Sequence, residues 1–306
     1  METVVAIGDL HGHYPALEKL LTGLQNKYAL FSELDLSNNT LPLRNDASLV
    51  FLGDYIDRGT QGRKILELVM AAEQSNQNVH ALMGNHELML LAALGDARKI
   101  RDKNMPDEFY GVTPHGQNGG FQFLKEFGIG HDRPIDSFCT NLHRDAQLGS
   151  WLRSLDPYAK IQVGEKNLFF CHAGIPTSIP DKEAMYAFRD DFSAHMKQDS
   201  YTLHEDKYLR HPLVGKEGLF WIREKFFHKP RLELEAHLRD LKVDHVVIGH
   251  TPQMNGKILN VHNLIFNIDV AMCPAYGENT PAALVVRKEG ITGFYVPDVE
   301  EKLLDF

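Results

Sequence analysis

The stretch LVFLGDYIDRG (Leu49–Gly59) joins four apolar residues to a glycine, two carboxylates and an arginine. A short apolar run bounded by a glycine turn is typical of a buried strand that ends in a loop. Ligands of open α/β sheets bind beyond the carboxyl ends of the strands. Asp54, Asp57 and Arg58 therefore indicate a site for cations and a phosphate. On its own, however, the stretch would be better explained as a solvated turn with a local ion pair.

Two other segments have the same layout, and they favour a ligand site over a solvated turn. The apolar run Thr3–Ile7 ends in GDLHG (residues 8–12), and the run Val79–Met83 ends in GNHE (residues 84–87). Helical periodicity follows each run, so three strand–turn–helix units place polar groups after a glycine at the strand end. In an extended chain, Asp9 and His11 would point to the same side and could bind one divalent metal. Three aligned instances favour a shared site over three unrelated turns.

Two histidines follow strands predicted later in the chain. A β-hairpin over residues 159–171 leads to His172, and the strand Val243–Ile248 leads to His250. Cys171 faces the opposite side of its strand and is predicted to be a buried structural thiol. The polar groups at strand ends are imidazoles, carboxylates and one amide, from Asp9, His11, Asp54, Asn85, His172 and His250.

This donor set contains no thiolate and does not match a structural zinc site, which is closed and rich in cysteine. It suits borderline ions such as Mn, Fe or Zn. Six donors exceed one open catalytic site, so two metals that share a carboxylate are the economical arrangement. Two metals about 3.5–4 Å apart can bind phosphoryl oxygens and the attacking water, and can stabilise an in-line displacement. The donor set therefore predicts a phosphate-ester hydrolase.

Other polar residues can supply the remaining functions of such a site. Arg58 and Arg223 could bind the nonbridging phosphoryl oxygens. His86, if it is not a ligand, could protonate the leaving oxygen. Asp57 could then orient His86, as carboxylates often orient imidazoles.

The composition limits the classes of partner. The 306 residues carry a formal net charge of −9, which argues against a nucleic-acid or anionic-membrane surface. Three separated cysteines without a CxxC motif indicate a reducing compartment. The chain shows neither a basic signal-peptide region nor an apolar run long enough to span a membrane. We therefore expect a cytoplasmic protein whose partner is a phosphorylated substrate, not a nucleic acid or a membrane.

The order of predicted elements favours one α/β domain over residues 1–306, with two packed mixed β-sheets flanked by helices. Helical insertions over about 95–156 and 176–218 are predicted to form caps beside the site. The segment 31–46 is predicted to be a surface excursion. Three histidines of the first insertion share no spacing, and each is predicted to be a surface or packing residue: His115, His131 and His143.

The motifs GDLHG, GDYIDRG, GNHE, HAG and GHTP, in this order, resemble those of the calcineurin-like metallophosphoesterases. Within that family the chain is similar to the phosphoprotein phosphatase group, particularly bacterial serine/threonine phosphatases. NGG at residues 118–120 and FWIREKF at residues 220–226 extend the resemblance over nearly the whole chain. The resemblance implies an α/β/β/α sandwich and two divalent ions, Mn²⁺ first, with Fe or Zn as alternatives.

The resemblance also implies a role for each matching residue. It implies one metal held by Asp9, His11 and Asp54. It implies a second metal held by Asp54, Asn85, His172 and His250. His86 is implied as the general acid paired with Asp57, and Arg58 and Arg223 are implied as phosphate contacts. One departure lies near the C-terminus, where IDVA (residues 268–271) replaces the usual Ile-Asp-Thr-Gly turn.

Three functions remain open at this point. The first is a serine/threonine protein phosphatase whose range can extend to phosphotyrosine. The second is symmetrical diadenosine tetraphosphate hydrolysis, but that group tends to lose the DRG triplet and to carry Asp after GNH. Here residues 57–59 are DRG and Glu87 follows GNH, which favours the protein phosphatase. The third, an inactive binding module, is disfavoured because no ligand and no acid is missing.

Overall fold

A computed structural model describes residues 1–99, 115–127, 142–143, 146–196 and 215–306. The strands in these ranges are β1 (Thr3–Ile7), β2 (Ala47–Phe51), β3 (Val79–Ala81), β4 (Tyr158–Val163), β5 (Lys166–Cys171), β6 (His245–Ile248), β7 (Leu259–Val261), β8 (Ile265–Asn267), β9 (Ala282–Arg287), β10 (Gly290–Tyr295) and β11 (Val299–Asp305). The helices are α1 (Tyr14–Tyr28), α2 (Gly62–Ser75), α3 (Asn85–Lys99), α4 (Phe121–Lys125), α5 (Gln147–Ser154), α6 (Lys182–Met196), α7 (Glu224–Phe227) and α8 (Arg231–Asp240).

The strands form two mixed sheets, with the order β11-β10-β9-β1-β2-β3 in one and β4-β5-β6-β8-β7 in the other. Helices flank them, so the predicted fold class is confirmed. In the first sheet β1, β2 and β3 run parallel, with α1 and α2 as the intervening helices. In α1 and α2, apolar residues repeat at helical spacing and are buried against the core: Leu17, Leu20, Leu21, Leu24, Ile65, Leu68, Val69 and Ala72.

The registers bring the strand ends together. Ile7 pairs with Phe51, and Phe51 pairs with Ala81, so the turns after β1, β2 and β3 leave one edge of the first sheet. In the second sheet β5, β6 and β8 also run parallel. Their carboxyl ends supply a second group of turns. This shared direction is what collects the polar residues that follow each strand.

The structure differs from the sequence-based expectations in several elements. The C-terminal strands are divided between the two sheets, because β7 and β8 lie in the second sheet while β9 pairs antiparallel with β1. Helix α6 lies within the helical insertion predicted over 176–218, whereas strand β11 was not predicted. The predicted insertions, about 95–156 and 176–218, lie partly outside the described residues. His131 and Cys139 also lie outside them. In the ranges described, no helix combines the length and apolar character needed to cross a membrane.

Candidate active site

The turn after β2 places Asp54 at the centre of the site. Asp54 has a φ of 53°, in the left-handed region, and this conformation is held by the buried carboxylate of Glu87. The Asp54 and Tyr55 backbone N–H groups each donate to Glu87 at 2.9 Å. The His86 N–H in turn donates to Asp54 Oδ1 at 3.0 Å. The first turn of α3 therefore fixes both the backbone and the carboxylate of Asp54.

The Asp54 carboxylate lies between two groups of imidazoles. His11 Nε2 and His86 Nε2 lie 3.6 and 3.8 Å from Asp54 Oδ2. His172 Nε2 lies 3.4 Å from Asp54 Oδ1, and His250 completes that second group. Within each group the donor atoms all lie within 4.8 Å of one another, close enough to hold one ion. Asp54 is common to both groups.

The donor chemistry fits divalent transition ions. The Nε2 atom of His250 is buried and has no hydrogen-bond partner among the described residues, which is costly unless a ligand takes its lone pair. Burial lowers the pKa of His11 to about 3 and holds the pKa of His250 well below its usual value. Both rings are therefore neutral and keep a lone pair for a metal.

Asp9 and Asn85 lie beside these groups. Both Asp9 oxygens accept the His250 N–H at 3.1 Å, and Asp9 Oδ2 lies 3.9 Å from His11 Nε2. Asn85 Oδ1 lies 2.8 Å from His172 Nε2. The structure thus brings all six residues predicted as ligands together. The expectation of an extended chain at residues 9–11 was wrong, because His11 has a φ of 41° and reaches Asp9 through a turn.

Asp57 lies between two histidines. Asp57 Oδ2 is 2.5 Å from His86 Nδ1, so the expected pair is in contact, and Asp57 Oδ1 is 2.8 Å from His115 Nε2. All three side chains are buried. Burial by itself would raise the pKa of Asp57, but the interactions with His115 and His86 lower it below its usual value. Asp57 is therefore an anion that accepts from both rings.

The prediction that His115 is a surface or packing residue agrees with its burial but missed its polar contact. Its side chain is fully buried and bonds directly to Asp57, 58 positions away in the chain. No periodicity relates the two residues, so spacing could not show the contact. The nearby NGG at residues 118–120 was the available clue, because glycines often mark a close approach of two backbones.

The two arginines predicted as phosphate contacts lie on the same cleft. Arg58 Nη1 contacts both nitrogens of the His11 ring and lies closer to Nε2 than to Nδ1, and its guanidinium lies 5.2 Å from the centre of the Tyr276 ring. Arg223 Nη1 donates to the His250 carbonyl oxygen at 2.7 Å. Both cations therefore stand next to a predicted metal ligand, which suits an anionic substrate group bound between them.

The cleft is open to solvent and has a volume of about 440 Å³, which includes part of that open space. Four of its lining residues were not predicted from the sequence: Met89, Asn118, Trp221 and Tyr276. Asp269 was also missed. It follows β8 as Asp54 follows β2; its Oδ2 atom is buried without a partner among the described residues, and burial raises its pKa to about 7. The pattern of a carboxylate after an apolar strand could have identified it.

Comparison with known proteins places the chain in a family. Residues 2–254 match the calcineurin-like phosphoesterase family, and the chain belongs to it. The predicted family is therefore confirmed, and with it the expectation of a hydrolytic phosphatase. The His and Asp groups around Asp54 are consistent with the divalent ions that this family uses.

Individual relatives agree with this assignment. Shewanella-like protein phosphatase 1 of Plasmodium berghei is 22% identical over 298 residues, covering 92% of this chain and 71% of that protein. A symmetrical bis(5′-nucleosyl)-tetraphosphatase of Delftia acidovorans is 36% identical over 93 residues, covering 30% of this chain and 26% of that protein. The structure of a cold-active protein-tyrosine phosphatase from a psychrophilic Shewanella matches with a TM-score of 0.70. It is 23% identical and covers 99% of this chain and 81% of the other, a likeness that shows the shared fold.

Proposed function

We propose that the chain is a protein phosphatase that hydrolyses phosphoserine and phosphothreonine esters, with a range that extends to phosphotyrosine. The observation that carries the proposal is the position of Asp54, shared by two groups of metal-type donors, one of which includes His86, the residue that bonds to Asp57. The match to a protein phosphatase over 92% of the chain also supports it. The inserted segments are proposed to be caps of a single domain that select the substrate.

The proposed ligands of two divalent ions, Mn²⁺ or alternatively Fe or Zn, are Asp9, His11, Asp54, Asn85, His172 and His250. When bound, such ions lower the pKa of water and neutralise charge on the phosphoryl group. The buried free thiols of Cys171 and Cys273 fit a reducing compartment, and we propose the cytoplasm.

Residues of the chain bind the phosphoryl group and donate the proton. Arg58 and Arg223 bind the nonbridging oxygens and align phosphorus with the attacking water. A new P–O bond to the water oxygen forms while the ester P–O bond breaks. The leaving oxygen takes the proton from His86 Nε2, and Asp57 stabilises the His86 ring through Nδ1. The products are inorganic phosphate and the free hydroxyl side chain.

Replacement of Asp54 and His86 tests this mechanism. Asp54→Asn should abolish hydrolysis of both an aryl phosphate and a phosphoserine peptide in Mn²⁺. His86→Asn should abolish hydrolysis of the phosphoserine peptide, whose leaving group needs the proton, and Asp298→Asn, at an exposed position, serves as the control. Full activity in either site variant would overturn the mechanism. Metal analysis of the purified wild type distinguishes the third candidate, because an inactive binding module would neither retain nor be activated by a transition metal.

Symmetrical dinucleoside tetraphosphate hydrolysis is the second candidate, favoured by the 36% identity to the Delftia enzyme over 93 residues. A direct comparison of a phosphopeptide with diadenosine tetraphosphate separates the two. We expect the phosphopeptide to have the higher kcat/KM. The opposite order would replace the proposed substrate class without changing the metal site.

A further inference from the structure

The segment His115–Phe127, here called the clasp, packs against the chain just after the turn that carries Asp57. Glu126 accepts the backbone N–H groups of Gly62 and Arg63 at 2.9 and 2.8 Å, where α2 begins. The Arg63 guanidinium also lies 5.0 Å from the centre of the Phe127 ring. The C-terminal half of the clasp is thereby tied to the start of α2.

The other half of the clasp packs tightly against the same turn. Gly119 has a φ of 100°, and a Cβ added there would lie 3.0 Å from the Arg58 backbone nitrogen. A Cβ added at Gly120 would lie only 2.6 Å from the His115 ring. Two glycines therefore let the clasp approach closely, and Gly120 lies directly against the His115 ring.

In that position His115 bonds to the Asp57 oxygen that His86 does not use. The terminal torsion of an aspartate is broad, so one hydrogen bond leaves the carboxylate plane poorly defined. Donors on both oxygens fix that plane. Because Asp57 Oδ2 bonds to His86 Nδ1, the plane of Asp57 also sets the orientation of the His86 ring and the direction of its Nε2 atom.

We propose that His115 is a positioning residue: through Asp57 it orients His86 so that the Nε2 proton points at the leaving oxygen. The inference rests on the proposed role of His86 as the general acid. Loss of His115 leaves Asp57 Oδ1 buried without this donor and lets the Asp57 carboxylate and the His86 ring rotate. Proton delivery then suffers, while the residues proposed to hold metal remain in place.

The leaving group provides the kinetic test. A phosphoserine peptide releases a poor leaving group that needs the proton, whereas p-nitrophenyl phosphate releases a stable anion. His115→Leu should lower kcat roughly 10–100-fold on the phosphoserine peptide but less than about threefold on p-nitrophenyl phosphate. His115→Gln, whose amide can still donate to Asp57, should restore most of the loss. Gly120→Ala, whose methyl group would clash with both the ring and the backbone carbonyl oxygen of His115, shifts this residue without removing its ring and should reproduce the selective loss.

A buried histidine away from the cleft gives the matched control. His245 is buried, bonds through Nδ1 to the Asn263 carbonyl oxygen at 2.8 Å, and lies at the opposite end of β6 from His250. His245→Leu should lower stability without changing the ratio of the two activities. Imidazole ¹⁵N NMR of the metal-free protein adds a readout independent of activity. The protonated Nδ1 signal of His86 should be lost or broadened in His115→Leu and retained in His115→Gln.

The outcomes separate the two proposals. If His86→Asn shows the leaving-group dependence and His115→Leu does not, the positioning role is overturned and the general acid stands. If His86→Asn itself loses both activities equally, the acid assignment fails. An equal loss on both substrates in His115→Leu and His115→Gln, with an unchanged His86 signal, would reduce His115 to a purely structural residue. If His115→Leu does not fold, Gly120→Ala and His115→Gln give the same decision.

Discussion

Glu87 and Glu126 have the same structural role in two regions of the molecule, the turn after β2 and the clasp. Each accepts two or more backbone N–H groups of a turn: Glu87 those of Asp54 and Tyr55, and Glu126 those of Gly62 and Arg63. Glu87 is fully buried beneath the cleft, whereas Glu126 is half-buried at the surface. A glutamate that accepts backbone N–H groups can therefore fix the position of a proposed metal ligand in one region and hold a packed segment in place in another.

The largest effect is expected at Glu87. Glu87→Gln replaces one acceptor oxygen by an NH₂ group that faces backbone donors, so the turn that carries Asp54 should shift. Residues that orient metal ligands typically contribute about 10–100-fold to metal affinity, and we expect a loss of that size. Calorimetric Mn²⁺ titration measures it. An unchanged affinity would show that β2 alone holds Asp54.

A smaller effect is expected at Glu126. Glu126→Gln removes one of two hydrogen bonds at the start of α2 and should lower the free energy of unfolding by about 1 kcal/mol. Denaturant unfolding measures the change, with Mn²⁺ affinity as the internal control. Loss of metal affinity similar to that of Glu87→Gln would erase the distinction between the two regions.

A third carboxylate that accepts hydrogen bonds, Glu73, extends the comparison to the pH dependence of stability. Glu73 accepts the Ala81 N–H at 2.9 Å and the Trp151 Nε1–H at 2.7 Å, and burial raises its pKa above the usual value. Because the pKa of Glu73 is higher in the folded than in the unfolded protein, protonation of Glu73 stabilises the fold. This stabilisation is full below the unfolded pKa and is lost as pH rises through the folded pKa. The stability of Glu73→Gln relative to wild type should therefore increase from about pH 4 to about pH 8. Thermal unfolding at both pH values checks the sign, and a constant difference would contradict it.

The smallest effect is expected beside the cleft at Ala271. This residue has a φ of 54°, where the usual turn of related proteins carries glycine. A left-handed alanine costs roughly 1–2 kcal/mol, partly offset by the flexibility that glycine adds to the unfolded chain. Ala271→Gly should therefore raise the free energy of unfolding by about 0.5 kcal/mol. A decrease would show that the Ala271 methyl group packs favourably.

The fold and the ligand set were accessible from the sequence because both follow from local patterns. Apolar runs such as Thr3–Ile7 end in polar turns, and parallel strands place such turns at one edge. Element boundaries were displaced by a few residues, as at β3, which ends at Ala81 where Met83 was expected. Strand β11 was missed because charged residues interrupt its apolar pattern.

By itself, the sequence determined the family, the two-sheet architecture and the polar residues that follow the strands, because each depends on a short pattern with its own periodicity. Only the tertiary structure decided which of these side chains touch. It placed His86 next to His11 and Asp54, Asp269 just after β8 of the second sheet, and His115 on Asp57. Such contacts depend on the path of the chain between the residues: His115 reaches Asp57 because the clasp packs two glycines close to the turn and to the ring. No local pattern records that path.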